Sequence, residues 1–285
     1  MRKKNILFSI ICMLLISPFI VFADTTCASL YGSGDHLVKV ATGSLGRLGL
    51  LKSLGDGFDS KYDARICFVY AGSGKALELL KSKEVDAILV HSENEEIKAI
   101  QEGWADKRTL VCSNEYYIVG PVDDPAGIKK SKKAITAYKM IATQKARFLS
   151  RGDNSGTHIK ELEIWNKADL APRGKWYIVT NNNMTETLKA ANELGGYFMP
   201  ESTTWITGKN NYPSLKLLFK GDRVLLNIYH ILLRKYGKDD YNKYAEDFLL
   251  FVKSEKGQTI IKNFGKDKYG QALFNDANTT RRLVE

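Results

Sequence analysis

Leu37-Val38-Lys39-Val40-Ala41-Thr42-Gly43-Ser44 places a strand-like run against a glycine and a serine, and a helical pattern follows from about Leu45. Leu48, Leu51 and Leu54 fall on one face of that helix. The design recurs further on. Ala64 to Tyr70 reads as a second strand, Gly72-Ser73-Gly74 as its turn, and Lys75 to Lys81, with Leu77 and Leu80, as a second helix. Val85 to Val90 is a third strand, and Glu93 to Glu102 an amphipathic segment after it. Strands alternating with helices predict an α/β fold, a parallel sheet covered on both faces.

Beyond this block, Thr109 to Cys112 and Tyr116 to Val119 read as short strands, and Pro121 to Gly127 breaks the pattern. A second lobe is expected from there. It holds helices at Ile135–Gln144, Thr157–Lys167 and Thr185–Leu194, and strands at Arg147–Ser150, Trp176–Val179 and Leu215–Phe219. Helices at Tyr241–Ser254 and Gln258–Phe264 precede a loop-like tail. The expected division is residues 24–113 with about 235–285 as lobe 1, and about 114–234 as lobe 2.

The N-terminus is of another kind. Arg2, Lys3 and Lys4 precede an apolar run from Ile6 to Phe22 that ends in Val21-Phe22-Ala23. A basic start, an apolar middle and a small residue at the end predict a signal peptide over residues 1–23, cleaved near Ala23, and a periplasmic product. The 285-residue chain has 42 Lys and Arg against 32 Asp and Glu, a net charge of +10. Cleavage removes three basic and no acidic residues, which leaves +7. The cluster Lys129-Lys130-Lys132-Lys133 lacks interleaved aromatics, so no nucleic-acid partner is expected.

Cys27, Cys67 and Cys112 follow the export segment, enough for one disulfide and one thiol, with the pairing open. Cys67 and Cys112 both lie in strand-like runs and read as small buried hydrophobes. His36, His91, His158 and His230 are scattered without metal-ligand spacing, so neither metal nor cofactor is expected. No nucleophile elbow, catalytic triad spacing or P-loop occurs, and no catalytic residue is assigned.

Three strand-to-helix turns carry the candidate chemistry: Thr42-Gly43-Ser44, Gly72-Ser73-Gly74, and Ser150-Arg151-Gly152-Asp153-Asn154-Ser155-Gly156-Thr157. A helix start presents unpaired N–H groups and the positive end of its dipole. Glycine admits a ligand close to the backbone, and Ser and Thr add hydroxyl donors. Converging starts of this kind bind an anion through mostly neutral donors. Arg151 adds a charged fork, and Asp153 is expected to hold Arg151 or cap the helix rather than face an anion.

These turns, with Ala71 to Leu79, Asp86 to His91, Tyr117 to Pro121, Asp124 to Ile128, Ser150 to His158 and Gly174 to Tyr177, resemble the tungstate-binding proteins (TupA type) of ABC importers. That family has the type II periplasmic binding protein fold. The resemblance implies two α/β lobes joined by a two-strand hinge and closing over a tetrahedral oxyanion, tungstate first and molybdate next. It implies delivery to a membrane permease with its ATPase, by a monomer. Carried onto this chain, the ligand groups are Thr42, Gly43, Ser44, Ser73, Arg151, Ser155 and Thr157, with His91 and Asn183 as secondary candidates. The alternatives are another anion, such as phosphate, sulfate or a small carboxylate, or a sensory protein of the same fold.

The departures lie in that pocket. Ala41 and Gly43 stand where the family commonly has Thr, Asn181-Asn182-Asn183 replaces a glycine-rich stretch, and Pro200-Glu201-Ser202-Thr203 stands where an Asp-Arg pair is usual. Fewer hydroxyls with more amides thus predict a retuned pocket, and a Glu near the cleft is expected to favour another ligand.

Overall fold

The early strand–helix alternation becomes one large sheet in the computed structural model, which describes residues 26–237 and 240–285. The export segment expected over residues 1–23 lies outside the described residues. In chain order the first block is β1 (Ser29–Tyr31), β2 (His36–Thr42), α1 (Ser44–Arg47), α2 (Leu50–Asp59), β3 (Ala64–Tyr70), α3 (Ser73–Lys81), β4 (Ala87–Val90) and α4 (Glu93–Gln101). β5 (Ala105–Glu115) leads into a second unit. It holds β6 (Ile118–Pro121), α5 (Ala134–Thr143), β7 (Phe148–Ser150), α6 (Gly156–Lys167), β8 (Tyr177–Val179), α7 (Met184–Leu194), α8 (Ser202–Gly208) and β9 (Leu215–Phe219). β10 (Leu226–Arg234) returns to the first block, followed by α9 (Lys243–Lys253), α10 (Glu255–Asn263), α11 (Lys266–Tyr269), β11 (Asn275–Asp276) and α12 (Ala277–Val284).

The large sheet has seven strands in the order β1-β3-β2-β4-β10-β5-β11. β2 runs parallel to β3 and β4, whereas β10 is antiparallel to both β4 and β5. Alternation along β3 sorts side chains between two cores. Ile66 and Phe68 pack with α2 and α9 residues such as Leu54, Phe58 and Phe248, while Cys67 and Val69 pack with Leu77, Leu80 and Ala99 from α3 and α4. Burial on both faces explains why β2, β3 and β4 are nearly continuous apolar runs. The second unit has its own cores, one around Tyr138, Phe148 and Trp165, the other around Val119, Leu149 and Trp205.

Two expectations need correction. The stretch Leu226–Arg234, assigned to lobe 2, forms β10 at the heart of the large sheet, with Leu226 opposite Glu115. Its alternation is obscured because Asn227 and His230 are buried along with Tyr229, Ile231, Leu232 and Leu233. The chain therefore returns at Leu226, not at about residue 235. The tail, expected to be loop-like, is α11, β11 and α12. Asp276 caps α12 by accepting from Thr279 N at 2.6 Å, and Thr280 Oγ1 is 2.9 Å from Ser113 Oγ on β5.

The cysteine question closes here as well. Cys27 and Cys67 form a disulfide that ties the chain before β1 to β3, and Cys112 is free and buried. Cys67 is thus half of a bridge, not merely a small hydrophobe. The bridge closes a loop with a sequence separation of 40 residues. Loop-closure entropy predicts that replacing both cysteines by Ala lowers unfolding free energy by about 4 kcal/mol. Urea unfolding measures this, and a loss under about 1 kcal/mol would show that β1 holds its edge without the bridge.

Candidate functional site

In the first block each candidate turn follows a strand of the parallel sheet. β2 ends at Thr42, Gly43 occupies the cap position of α1, and no side chain caps that helix start. Ser44 thus presents its N–H and its hydroxyl together. α1 has only four residues, so its dipole is small and the donors act as individual groups. Arg47 ends α1 and leans over Tyr70, its guanidinium 5.3 Å from the ring and its Nη1 donating to the phenol oxygen at 3.2 Å. The second turn is built alike: Gly72 caps α3 without a side-chain bond. Ser73 is buried, and its Oγ accepts from His91 N at 3.3 Å, which leaves the Ser73 hydroxyl hydrogen available.

The second unit supplies the charged turn. Gly152 has φ +66°, and a Cβ there would come within 2.2 Å of Val179 Cγ1, so both backbone and space require glycine. Arg151 is held as expected: Nη2 pairs with Asp153 Oδ2, and Nη1 donates to Thr157 Oγ1 at 3.4 Å. Burial pushes the Asp153 carboxyl up, but hydrogen bonds from Ser155 and the charge of Arg151 outweigh it and hold the group below its usual range. Ser155 caps α6 by accepting from His158 N, while its own hydrogen goes to Asp153 Oδ1 at 2.7 Å. Its hydroxyl is therefore already in use. Asn183 caps α7 in the same way, its Oδ1 accepting from Thr185 N and Glu186 N, which leaves the amide Nδ2 as the donor it offers.

Gly43, Ser44, Ser73, His91, Arg151, Ser155, Thr157 and Asn183 all line one cavity of about 280 Å³ between the two units. Thr42 does not. It is fully buried, and its hydroxyl donates to Leu89 O at 2.8 Å, bracing β2 against β4. Arg47, Tyr70, Thr204, Thr207 and Glu201 line the cavity without having been assigned from motifs. Arg47 and Tyr70 had one readable signal, their place beside the first and second turns. Glu201 had been visible only as a departure from the family pattern.

Glu201 is 4% exposed and sits where the two units meet. Its carboxylate accepts from Asn114 Nδ2 and Tyr229 Oη, each at 3.0 Å, and from Ser44 Oγ at 3.2 Å. Asn114 lies near the end of β5, and Asn227 and Tyr229 near the start of β10. Glu201, which lines the cavity, is thus anchored where the chain crosses between units. His91 stands beside it, 3.4 Å from Tyr116 Oη, and burial lowers its pKa below the ordinary histidine value despite the charges of Glu201 and Glu96. A Cβ on Gly156 would lie 2.6 Å from His91 Cε1, so α6 approaches β4 this closely only because residue 156 is glycine.

The sequence and the fold are matched by known proteins. A family described as the PBP superfamily domain matches residues 28–256. The chain belongs to the periplasmic binding protein (PBP) superfamily. A tungstate-binding protein TupA of Peptoclostridium acidaminophilum is 33% identical over 90% of this chain and 84% of its own length. The tungstate ABC transporter structure from Geobacter sulfurreducens is 33% identical, with TM-score 0.73 over 81% of this chain and all of that one. The tungstate-binding protein TupA from Desulfovibrio alaskensis G20 is 32% identical, with TM-score 0.74 over 85% and 98%. Within its superfamily this PBP is of the two-lobed, TupA-like kind, a binding protein and not an enzyme.

One buried carboxylate frames the Arg151 turn of this PBP. Glu161 on α6 accepts from Trp165 Nε1 at 3.1 Å and from Tyr177 Oη on β8 at 2.7 Å. Burial pushes its pKa up to about 7 despite these donors. The folded protein then binds a proton that the unfolded chain releases above its ordinary carboxylate range. Stability from this group is full below the unfolded pKa and declines as pH rises through about 7, by up to about 3 kcal/mol. Urea unfolding at pH 5 and pH 8 should show that decline in the wild type and a flatter profile in Glu161→Gln.

Proposed function

We propose that this chain is the exported solute-binding component of an ABC importer. In this reading it captures a tetrahedral oxyanion between its two lobes, tungstate first and molybdate next. The observation that carries this is the convergence of the uncapped Ser44 and Ser73 turns and the Arg151 turn on one cavity. The ligand set we infer is the N–H groups of Gly43 and Ser44, the hydroxyls of Ser44 and Ser73, Arg151, and Asn183 Nδ2. Arg151 Nε is buried with no hydrogen-bond partner in the protein among the described residues, and a buried unpaired donor is costly unless a ligand oxygen meets it. The names of the relatives point to tungstate, and the neutral, small-residue donors suit a compact dianion.

Delivery to a permease with its ATPase, processing near Ala23 and a periplasmic location complete the proposal. Closure would turn about the paired segments at Glu115 and Leu226, where Tyr116 N also donates to Leu225 O at 2.8 Å.

Calorimetric titration of the exported form with tungstate, molybdate, sulfate and phosphate tests the ligand. Tungstate and molybdate should bind at least about tenfold tighter than the other two. Sulfate or phosphate binding tighter would overturn the tungstate assignment. Arg151→Ala should weaken tungstate about a hundredfold by removing the charge-assisted donors. Gly156→Val should push His91 and α6 apart and weaken binding about tenfold or more, with unchanged far-UV circular dichroism. Wild-type affinity in both variants would move the site elsewhere.

A further inference from the structure

Glu201 occupies the cap position of α8 but does not cap it. Its carboxylate turns instead toward three neutral partners, Asn114, Tyr229 and Ser44, and of these Ser44 lines the cavity. Behind them, Asn227 Nδ2 donates to Asn114 Oδ1 at 2.7 Å and to Tyr229 Oη at 3.3 Å. Oε2 collects most of the donors, whereas Oε1 meets only Ser44 Oγ, at 3.4 Å. The carboxylate is thus anchored from the hinge side and joined to the cavity through one hydroxyl.

That hydroxyl is also one of the groups inferred to bind the ligand. A serine hydroxyl carries a single hydrogen. Ser44 Oγ also lies 2.9 Å from Tyr229 Oη, which gives its own hydrogen to Glu201. Directed at Glu201 or at Tyr229, the serine hydrogen leaves only oxygen lone pairs toward the cavity, which repel an anion. Directed at an anion, it leaves Glu201 with Asn114 and Tyr229, both well placed to keep Oε2 satisfied. The protein therefore tolerates either direction, and the ligand must win the hydrogen from the Glu201–Tyr229 pair standing directly behind it.

We propose that Glu201 is a specificity-determining residue of this cleft, which holds the Ser44 hydroxyl against the ligand and scales affinity with the ligand's charge. This rests on the oxyanion reading above. The carboxylate opposes the attraction of Arg47 and Arg151, which line the same cavity. Coulomb energy is proportional to ligand charge, so a dianion meets twice the penalty of a monoanion at the same position. Removing the charge must then help the dianion by the square of the factor that it gives the monoanion.

Tungstate and perrhenate are tetrahedral oxoanions of similar size with charges of −2 and −1, and they separate this effect from packing. Glu201→Gln keeps the side-chain length and an amide oxygen that accepts from Asn114 and Tyr229. Calorimetry on wild type, Glu201→Gln and the double variant Ser44→Ala/Glu201→Gln gives the readout. Glu201→Gln is expected to bind tungstate about tenfold tighter and perrhenate about threefold tighter. The gain should shrink when Ser44→Ala removes the contested hydroxyl.

Equal gains for the two anions, no gain, or weaker binding by a Glu201→Gln protein with a wild-type melting curve would each overturn the assignment. Wild-type protein that binds sulfate in place of tungstate overturns the tungstate reading alone. The same charge comparison, made with sulfate and perchlorate, then decides the role of Glu201.

Discussion

The rest of the molecule depends on β10 lying between β4 and β5. That strand is antiparallel to both neighbours, and its register sets Leu226 against Glu115 and Asn227 against Asn114. The chain therefore leaves the large sheet at Glu115 and returns to it at Leu226 through adjacent backbone segments. The same register stacks Asn114, Asn227 and Tyr229 under the cavity, where they anchor Glu201. A slip of one residue along β10 would turn Asn227 and Tyr229 to the other face of the sheet and cost Glu201 its Tyr229 bond.

Hydrogen bookkeeping separates the candidate donors more sharply than proximity does. Eight of the nine residues considered for the ligand meet at one cavity, yet they are not equivalent. Ser155 gives its hydrogen to Asp153 and Thr157 accepts from Arg151, so both organise the arginine. Ser73 is tied only as an acceptor from the backbone of His91, and the starts of α1 and α3 have no side-chain caps. The lobes thus differ in kind. The first presents uncapped helix starts, the Ser73 hydroxyl and a Ser44 hydroxyl that Glu201 contests, and the second presents one prepositioned cation and the Asn183 amide.

Much of this was readable in advance, because it is local. Strand-to-helix turns announce themselves by an apolar run, a glycine and a hydroxyl, and Ala64–Tyr70 and Leu215–Phe219 were bounded as they stand in the structure. That Asp153 holds Arg151 or caps the helix rather than facing an anion followed from electrostatics, and the structure pairs it with Arg151. β10 escaped because burial on both sides, including Asn227 and His230, erases the alternation that marks a strand. Thr42 was misplaced because a hydroxyl at a strand end can face the ligand or the neighbouring strand, and only the pairing of β2 with β4 shows which.

By itself the sequence determined the α/β class, the donor-rich turns with glycines that admit a ligand close to the backbone, and a family resemblance that the superfamily match and the TupA relatives support. These properties are set by residues within a few positions of one another. The tertiary structure alone decided that Cys27 pairs with Cys67, that residues 226–234 belong to the large sheet, and that Ser44 on the first lobe meets Glu201, a residue 157 positions away. Which single hydrogen goes to which acceptor depends on distances of about 3 Å between such remote segments. No spacing along the chain encodes those distances.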